Sequence, residues 1–304
     1  MAKLNSTEKK LLKEVEEWKT SGPGFLTQVA NVATKPLVWA ADKVIPQNAK
    51  DAMGSISDKI VDKLQDVSQW TVSEEDVLSA TKELEINSET ILELKKASVF
   101  DLIHFSENFT KNNARIAAAE GFGTGLLGWA GLIADLPALF TLSFRLIYQT
   151  SLCYGYAIDK VADDEEGESF EMGYMLRIFQ IAAASTRANK EKGLEELRKY
   201  EDQHPQFIKR DGIVEHGHQG SDYLREQIGK SLGVNLSRVL INEIIKETFS
   251  RKAFTSIPGI GAVLTAGFNY YYVQDVGQTA SYIYRERFLL DKQGRPKIIS
   301  VPID

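Results

Sequence analysis

The sequence predicts an all-α protein, a multi-helix single domain built on two glycine-rich helical hairpins. Apolar residues recur at three- and four-residue spacing through most of the chain, and no alternating strand series occurs. Capping pairs stand at the starts of several of these runs. Two glycine-dense apolar stretches, 114–155 and 253–274, hold small residues four apart, which stack on one helix face and let two backbones approach closely.

The elements follow in order. Asn5 with Glu8 marks a helix start, Leu11, Leu12, Val15 and Trp18 repeat at helical spacing, and Ser21-Gly22-Pro23-Gly24 ends the run. Residues 25–45 are apolar, with Phe25 and Trp39, and could face a core or a membrane surface. Met53, Ile56, Ile60, Leu64 and Val67 form an amphipathic stripe, read first as core-facing. These segments make residues 1–72 a set of N-terminal amphipathic helices, and 73–290 the helical core.

Ser73 with Asp76 caps a short helix to Ile86, and Ser88 opens another that carries Ile91, Leu94, Phe100, Leu102 and Phe105. In the first glycine stretch Asp135 precedes Leu136-Pro137. Proline suits a helix's first turn and not its interior. The expectation is therefore a break at Ala134-Asp135, with Asp135 as N-cap of a helix from Leu136 to about Ile158. An acidic loop and a buried helix from Phe170 follow, then a surface helix over 188–200 with Leu194 and Leu197 inward. Residues 201–221 read as a polar insertion. A helix over 221–247, through Leu236, Val239, Leu240 and Ile244, precedes the second glycine stretch, whose last helix reaches Leu290. Residues 291–304 read as a turn and an extended tail.

Charge and composition bound the partners. The net charge is −6, all of it matched by the local balance of 159–171, where seven acids face Lys160. Nucleic-acid binding needs clustered Lys and Arg, so no nucleic acid is expected as a partner. The single cysteine, Cys153, excludes an intrachain disulfide and suits a cytoplasmic location. The charged N-terminus does not fit a signal peptide. Cys153, in an apolar helix, reads as a buried inert thiol. Residues 253–274 are long enough to span a membrane but hold Pro258, Asn269 and Gln274, so both glycine stretches read as buried helices. Peripheral or re-entrant membrane contact is the competing reading.

Three motifs bear on chemistry. Gly123 to Gly128 spells G-x-G-x-x-G, but a helix-like run precedes it where a dinucleotide loop needs a strand, so no cofactor is expected. His216-Gly217-His218 lies in a polar loop without enough further ligands, so no metal is expected either. The informative feature is the set of charges that interrupt apolar runs: Arg115, Glu120, Asp135, Arg145, Asp275 and Arg285. A buried charge without a partner costs several kcal/mol, so each must be paired, capping or wet. The structural reading has Asp135 capping, with Glu120 and Asp275 paired to arginines. The functional one makes the six line a charged pocket between the hairpins. Gly121, Gly125, Gly128, Gly259, Gly261 and Gly267 are the candidate helix-packing glycines, with Gly125 and Gly261 expected to meet.

The chain resembles the EcsC protein family. The likeness rests on Ala117-Ala118-Ala119-Glu120-Gly121, Thr124-Gly125, Ala134-Asp135-Leu136-Pro137-Ala138-Leu139, Cys153-Tyr154-Gly155-Tyr156, Ile257-Pro258-Gly259-Ile260-Gly261-Ala262 and Arg285-Glu286-Arg287-Phe288, in order and spacing from about Gly22 to Phe288. The family takes its name from a protein encoded beside an ABC transporter, and the resemblance supplies no catalytic residues. The family's biochemical activity is not established. The first functional reading is a peripheral membrane-associated interaction factor, cytoplasmic or on the membrane's cytoplasmic face, acting with a membrane complex such as an ABC transporter. The alternative is a hydrolase or ligand-binding protein acting on a lipid or peptide through the charged pocket.

Overall fold

The structure, a computed structural model, describes residues 3–22, 24, 56–61, 63–64, 72–83, 85–86, 88–157, 170–204, 234–252, 255 and 261–294. Among these every regular element is helical: α1 (Ser6–Thr20), α2 (Glu74–Glu83), a 3-10 turn (Leu92–Lys96), α3 (Val99–Gly125), α4 (Gly128–Cys153), α5 (Phe170–Ala183), α6 (Arg187–Gln203), α7 (Val234–Lys252) and α8 (Gly261–Gln293). Phe25, Trp39, Met53, Val67, Gly259, His216, His218 and the insertion beyond residue 204 lie outside the described residues.

The caps form where the sequence places them. Asn5 Oδ1 accepts from the Thr7 and Glu8 amides at 2.9 and 2.8 Å, and Glu8 Oε2 accepts from the Asn5 amide at 2.9 Å. Ser73 Oγ accepts from the Asp76 amide at 3.0 Å and starts α2. Residues 56–61 and 63–64 are helical, and Ile56, Ile60 and Leu64 are buried, which is the core-facing reading of that stripe. Ser57 Oγ donates to Asn242 Oδ1 at 2.6 Å, so this helix sits against α7.

Several boundaries differ from expectation. Ser88 does not open a long helix. Ala97 is extended and Ser98 caps a new helix, its Oγ accepting from the Phe100 amide at 3.3 Å. The helix α3 then runs unbroken to Gly125, and the chain reverses at Leu126-Leu127, not at Ala134-Asp135. The reason is Gly128, whose φ of +58° is open to glycine at little cost and strained for other residues. Pro137 therefore sits inside α4, where its missing N–H leaves the Ile133 carbonyl without an intrahelical donor. Burial of Leu136, Leu139 and Phe140 on the same turns offsets that cost. Asp135 is thus not a cap. Helix α4 ends at Cys153, short of Ile158, because Gly155 adopts φ +79° and the Tyr156 amide donates back to the Ser151 carbonyl at 2.9 Å. Val239 is exposed, while Leu240, Ile241, Ile244 and Ile245 are buried. Helix α8 extends three residues past Leu290, with Asp291 accepting from the Tyr156 hydroxyl at 2.5 Å and Lys292 paired to Glu8 at 2.5 Å.

Helix α8 organises the molecule. At 33 residues it is about 50 Å long. It lies along α3 and also touches α4, α5 and α1. Its Arg285-Glu286-Arg287 run is buried, and successive residues on a helix point in different directions, so the three charges reach separate partners. Arg285 pairs with Glu14 at 3.7 Å, Glu286 with Lys19 at 2.5 Å, and Arg287 with Glu171 of α5. Burial works against the Arg287 charge, and the Glu171 carboxylate outweighs it, holding the guanidinium above its ordinary range.

Lys190 of α6 closes the C-terminus of α1. Its Nζ donates to the Trp18 carbonyl and to Ser21 Oγ at 3.3 Å, and lies 4.1 Å from the Trp18 ring centre. Burial pushes its pKa down to about 8, with Arg187 lowering it further and Asp275 and Glu191 opposing. A lysine in the unfolded chain titrates near 10.4, roughly. Between those values the unfolded chain holds a proton that the folded chain has released. The cost of burying the charge is therefore full below about pH 8 and is relieved as pH rises toward about 10. Urea unfolding of the native protein and of Lys190→Met should show the native protein gaining stability relative to the variant over that window. A flat or falling difference contradicts the assignment.

Candidate functional site

Glycine lets α3 and α8 cross at backbone distance. A Cβ on Gly125 would lie 2.6 Å from Ala262 Cα and 2.6 Å from the Gly261 carbonyl oxygen, and one on Gly261 would lie 2.7 Å from the Gly125 carbonyl oxygen. One turn back, a Cβ on Gly121 would meet Asn269 Nδ2 at 2.5 Å and the Thr265 carbonyl at 2.9 Å. Further along the crossing Gly277 rests on Thr110, and Gly131 rests on the Thr124 carbonyl where α4 leaves the turn. Gly128 serves the turn. Gly267 has nothing within 4 Å, so neither belongs to the crossing.

Beneath this crossing lies a sealed polar cluster. Lys252, at the end of α7, contacts Asp135 of α4, and both are at most 1% exposed. Asp135 also accepts from Asn269 Nδ2 at 2.9 Å and from Thr124 Oγ1 at 2.8 Å, while Lys252 Nζ donates to Asn269 Oδ1 at 2.7 Å. Four helices, α3, α4, α7 and α8, are thereby joined through one carboxylate and its neighbours. Burial pushes the Lys252 ammonium well below its ordinary value.

The end of the bundle above that cluster is apolar and exposed. Leu126 is 71% exposed, Leu127 64%, Val263 69% and Phe122 52%. They come from the end of α3, its turn and the start of α8, which the Gly125–Gly261 contact brings together. The first exposed charge on α3 is Glu120, about 8 Å along the helix from Gly125. On α4 it is Arg145, about 25 Å from Gly128. One described helix stretch, Ala130–Cys153, is long and apolar enough to cross a membrane by length and composition, and 67% of its apolar window is buried inside the protein.

The six charges singled out by sequence do not converge. Arg115, Glu120 and Arg145 are exposed at separate places on α3 and α4. Asp135 belongs to the sealed cluster. Asp275 and Arg285 both border a groove of about 530 Å³ between α3 and α8, where Asp275 pairs with Arg251 at 3.3 Å, as an arginine partner was expected. Sequence reasoning missed Lys252, Asn269 and Thr124. Lys252 ends a helix beside Arg251, where basic residues ordinarily sit in solvent at a C-terminus, so nothing in its sequence context marks it as buried. Glu171 and Arg287 were legible only as parts of charged runs.

Gly123 to Gly128 spans the last residues of α3 and the turn into α4, with no strand before it, so its glycines do not form a dinucleotide loop. Among the described residues no three His, Cys, Asp or Glu side chains gather as metal ligands. Cys153 is buried, and burial holds its thiol well above the usual range.

Comparison with known proteins gives the following. The profile of the EcsC protein family matches residues 9–289. The chain is 24% identical over 286 residues to Uncharacterized protein YdbA of Bacillus subtilis (strain 168), covering 92% of each chain. It is 23% identical over 256 residues to Protein EcsC of the same organism, covering 83% of this chain and 91% of that one. No solved structure matches.

Proposed function

The chain belongs to the EcsC protein family, and from that premise we propose that it is a peripheral membrane-surface interaction protein. The observation that carries this reading is the exposed apolar end built by Phe122, Leu126, Leu127 and Val263. Large exposed apolar residues grouped together mark a contact with a partner or a bilayer. Each such side chain withdrawn from water contributes about 1.5–3 kcal/mol. The bilayer is favoured because the exposed residues of this end are uncharged. Its depth to Glu120 is about 8 Å, within the range of about 5–10 Å that interfacial elements reach. The protein docks by this end without spanning. A membrane complex such as an ABC transporter, which the family's name suggests, is then reached along the surface.

The hydrolase reading has less behind it. Hydrolysis needs a nucleophile and a base that face an accessible substrate. The nearest acid–base pair, Asp135 with Lys252, is sealed.

Co-sedimentation with vesicles tests the proposal. Zwitterionic phosphatidylcholine vesicles are the first choice because the net charge is −6. The native protein should bind, and Leu126→Glu with Leu127→Glu together should weaken binding at least about tenfold. Carbonate washing of a membrane fraction should release the protein without detergent, because no helix spans the bilayer in this reading. Failure of the native protein to bind, or equal binding by the double variant, overturns the reading.

A further inference from the structure

The geometry points to a choice of lipid: the apolar end docks on bilayers that carry anionic phospholipids, and Arg115 of α3 is the residue that meets their phosphates. This inference rests on docking by that end and adds the headgroup it selects.

The contacts between α3 and α8 run in one antiparallel register. Gly125 meets Gly261, the Ala117 carbonyl accepts from Asn269 Nδ2 at 3.1 Å, and Gly277 rests on Thr110. Arg115 is therefore level with Tyr271, each ten residues, about 15 Å, from the Gly125–Gly261 contact. A bilayer's hydrocarbon core is about 30 Å thick and the whole bilayer about 40–45 Å, which leaves a headgroup layer of about 5–8 Å on each side. With the apolar end about 8 Å deep in hydrocarbon, that layer begins at Glu120 and ends at the level of Arg115 and Tyr271. Tyrosine, an apolar ring with a polar tip, suits this level, and Tyr271 is 42% exposed there.

The local charge is opposite in sign to that of the whole chain. On α3, α4 and α8 the exposed charges within about 25 Å of the apolar end are Glu120, Arg115, Lys111 and Arg145. That is three basic residues to one acidic, in a chain of net charge −6. The Arg115 guanidinium is in no ion pair among the described residues. Lys111 is one turn farther out and already faces Glu107 at 3.7 Å. Arg145 stands about 10 Å beyond the level of Arg115, more than the screening length of about 8 Å at physiological salt, so it adds little. A basic residue close to an anionic membrane surface strengthens binding about fivefold. Glu120, at the inner edge of the same layer, opposes that gain.

Co-sedimentation of the full chain with vesicles of phosphatidylcholine alone, and of phosphatidylcholine and phosphatidylglycerol in equal parts, gives the ratio of the two affinities. At low salt the ratio should favour phosphatidylglycerol at least about fivefold. It should fall toward one as salt is raised, because screening removes the charge contribution and leaves the apolar one. Arg115→Gln should lower the ratio about fivefold, and Arg115→Lys should retain it. Glu120→Gln should raise it. Arg145→Gln removes the same charge farther out and should leave the ratio within about twofold. All three positions are exposed, so the unfolding midpoints should not move. Binding to phosphatidylcholine with a ratio of one overturns the choice of lipid and leaves docking by the apolar end standing. Loss of binding to both kinds of vesicle overturns docking, and this inference with it. Equal falls in Arg115→Gln and Arg145→Gln overturn the assignment to Arg115.

Discussion

Lys252→Met should destabilise the protein by about 3–5 kcal/mol, because it leaves the Asp135 carboxylate buried without its counter-charge. Asn269 and Thr124 would still donate to Asp135. Those two hydrogen bonds do not replace a full charge in a site with so little water. Asp135→Asn should cost a comparable amount for the reciprocal reason. The double variant Asp135→Leu with Lys252→Met removes both charges and should recover much of the loss, since buried pairs exchanged for apolar residues of similar volume are often neutral or stabilising. The measurement is urea unfolding of the singles and the double. Additive losses would mean that the two groups do not act as a pair.

Gly125→Ala is the second large effect. The sequence alone makes alanine mild and leucine severe at a packed glycine. The structure revises that, because the atoms in the way are backbone, the Ala262 Cα and the Gly261 carbonyl, which cannot swing aside. One methyl group already forces α3 and α8 apart, at a cost of about 1–3 kcal/mol or more. Gly261→Ala meets the Gly125 carbonyl and should behave alike. Gly123→Ala and Gly267→Ala are the controls. Nothing lies within 4 Å of either, so alanine should be neutral or add up to about 1 kcal/mol through helix propensity. Thermal midpoints that fall equally at all four positions, or at none, remove the glycine crossing as an organising contact.

These two effects mark what was legible and what was not. Glycines four apart in an uncharged run announce a close helix crossing, because only that use repays their poor helix propensity. Asn5 with Glu8, and Ser73 with Asp76, announce helix starts through local hydrogen bonds. Pro137 misled because its usual rule concerns helix propensity, and burial of its neighbours outweighed that rule. The polar cluster was only half legible. Asp135 stood out as a lone charge in an apolar run. Its partner Lys252 lies 117 residues away, and neither end of that pairing has a local signature. The exposed tip was legible as an uncharged stretch, but whether Leu126 and Leu127 faced core or solvent depended on where the chain reversed.

Depth labelling tests the membrane reading most directly. Cys153 is fully buried, so an environment-sensitive fluorophore can be placed on an introduced thiol at Leu127→Cys or Arg145→Cys. On adding phosphatidylcholine vesicles, the label at residue 127 should shift to the blue and become protected from an aqueous quencher. The label at residue 145, about 25 Å along α4 from the tip, should keep its aqueous emission. An unchanged label at 127, or equal shifts at both positions, would contradict docking by the apolar end.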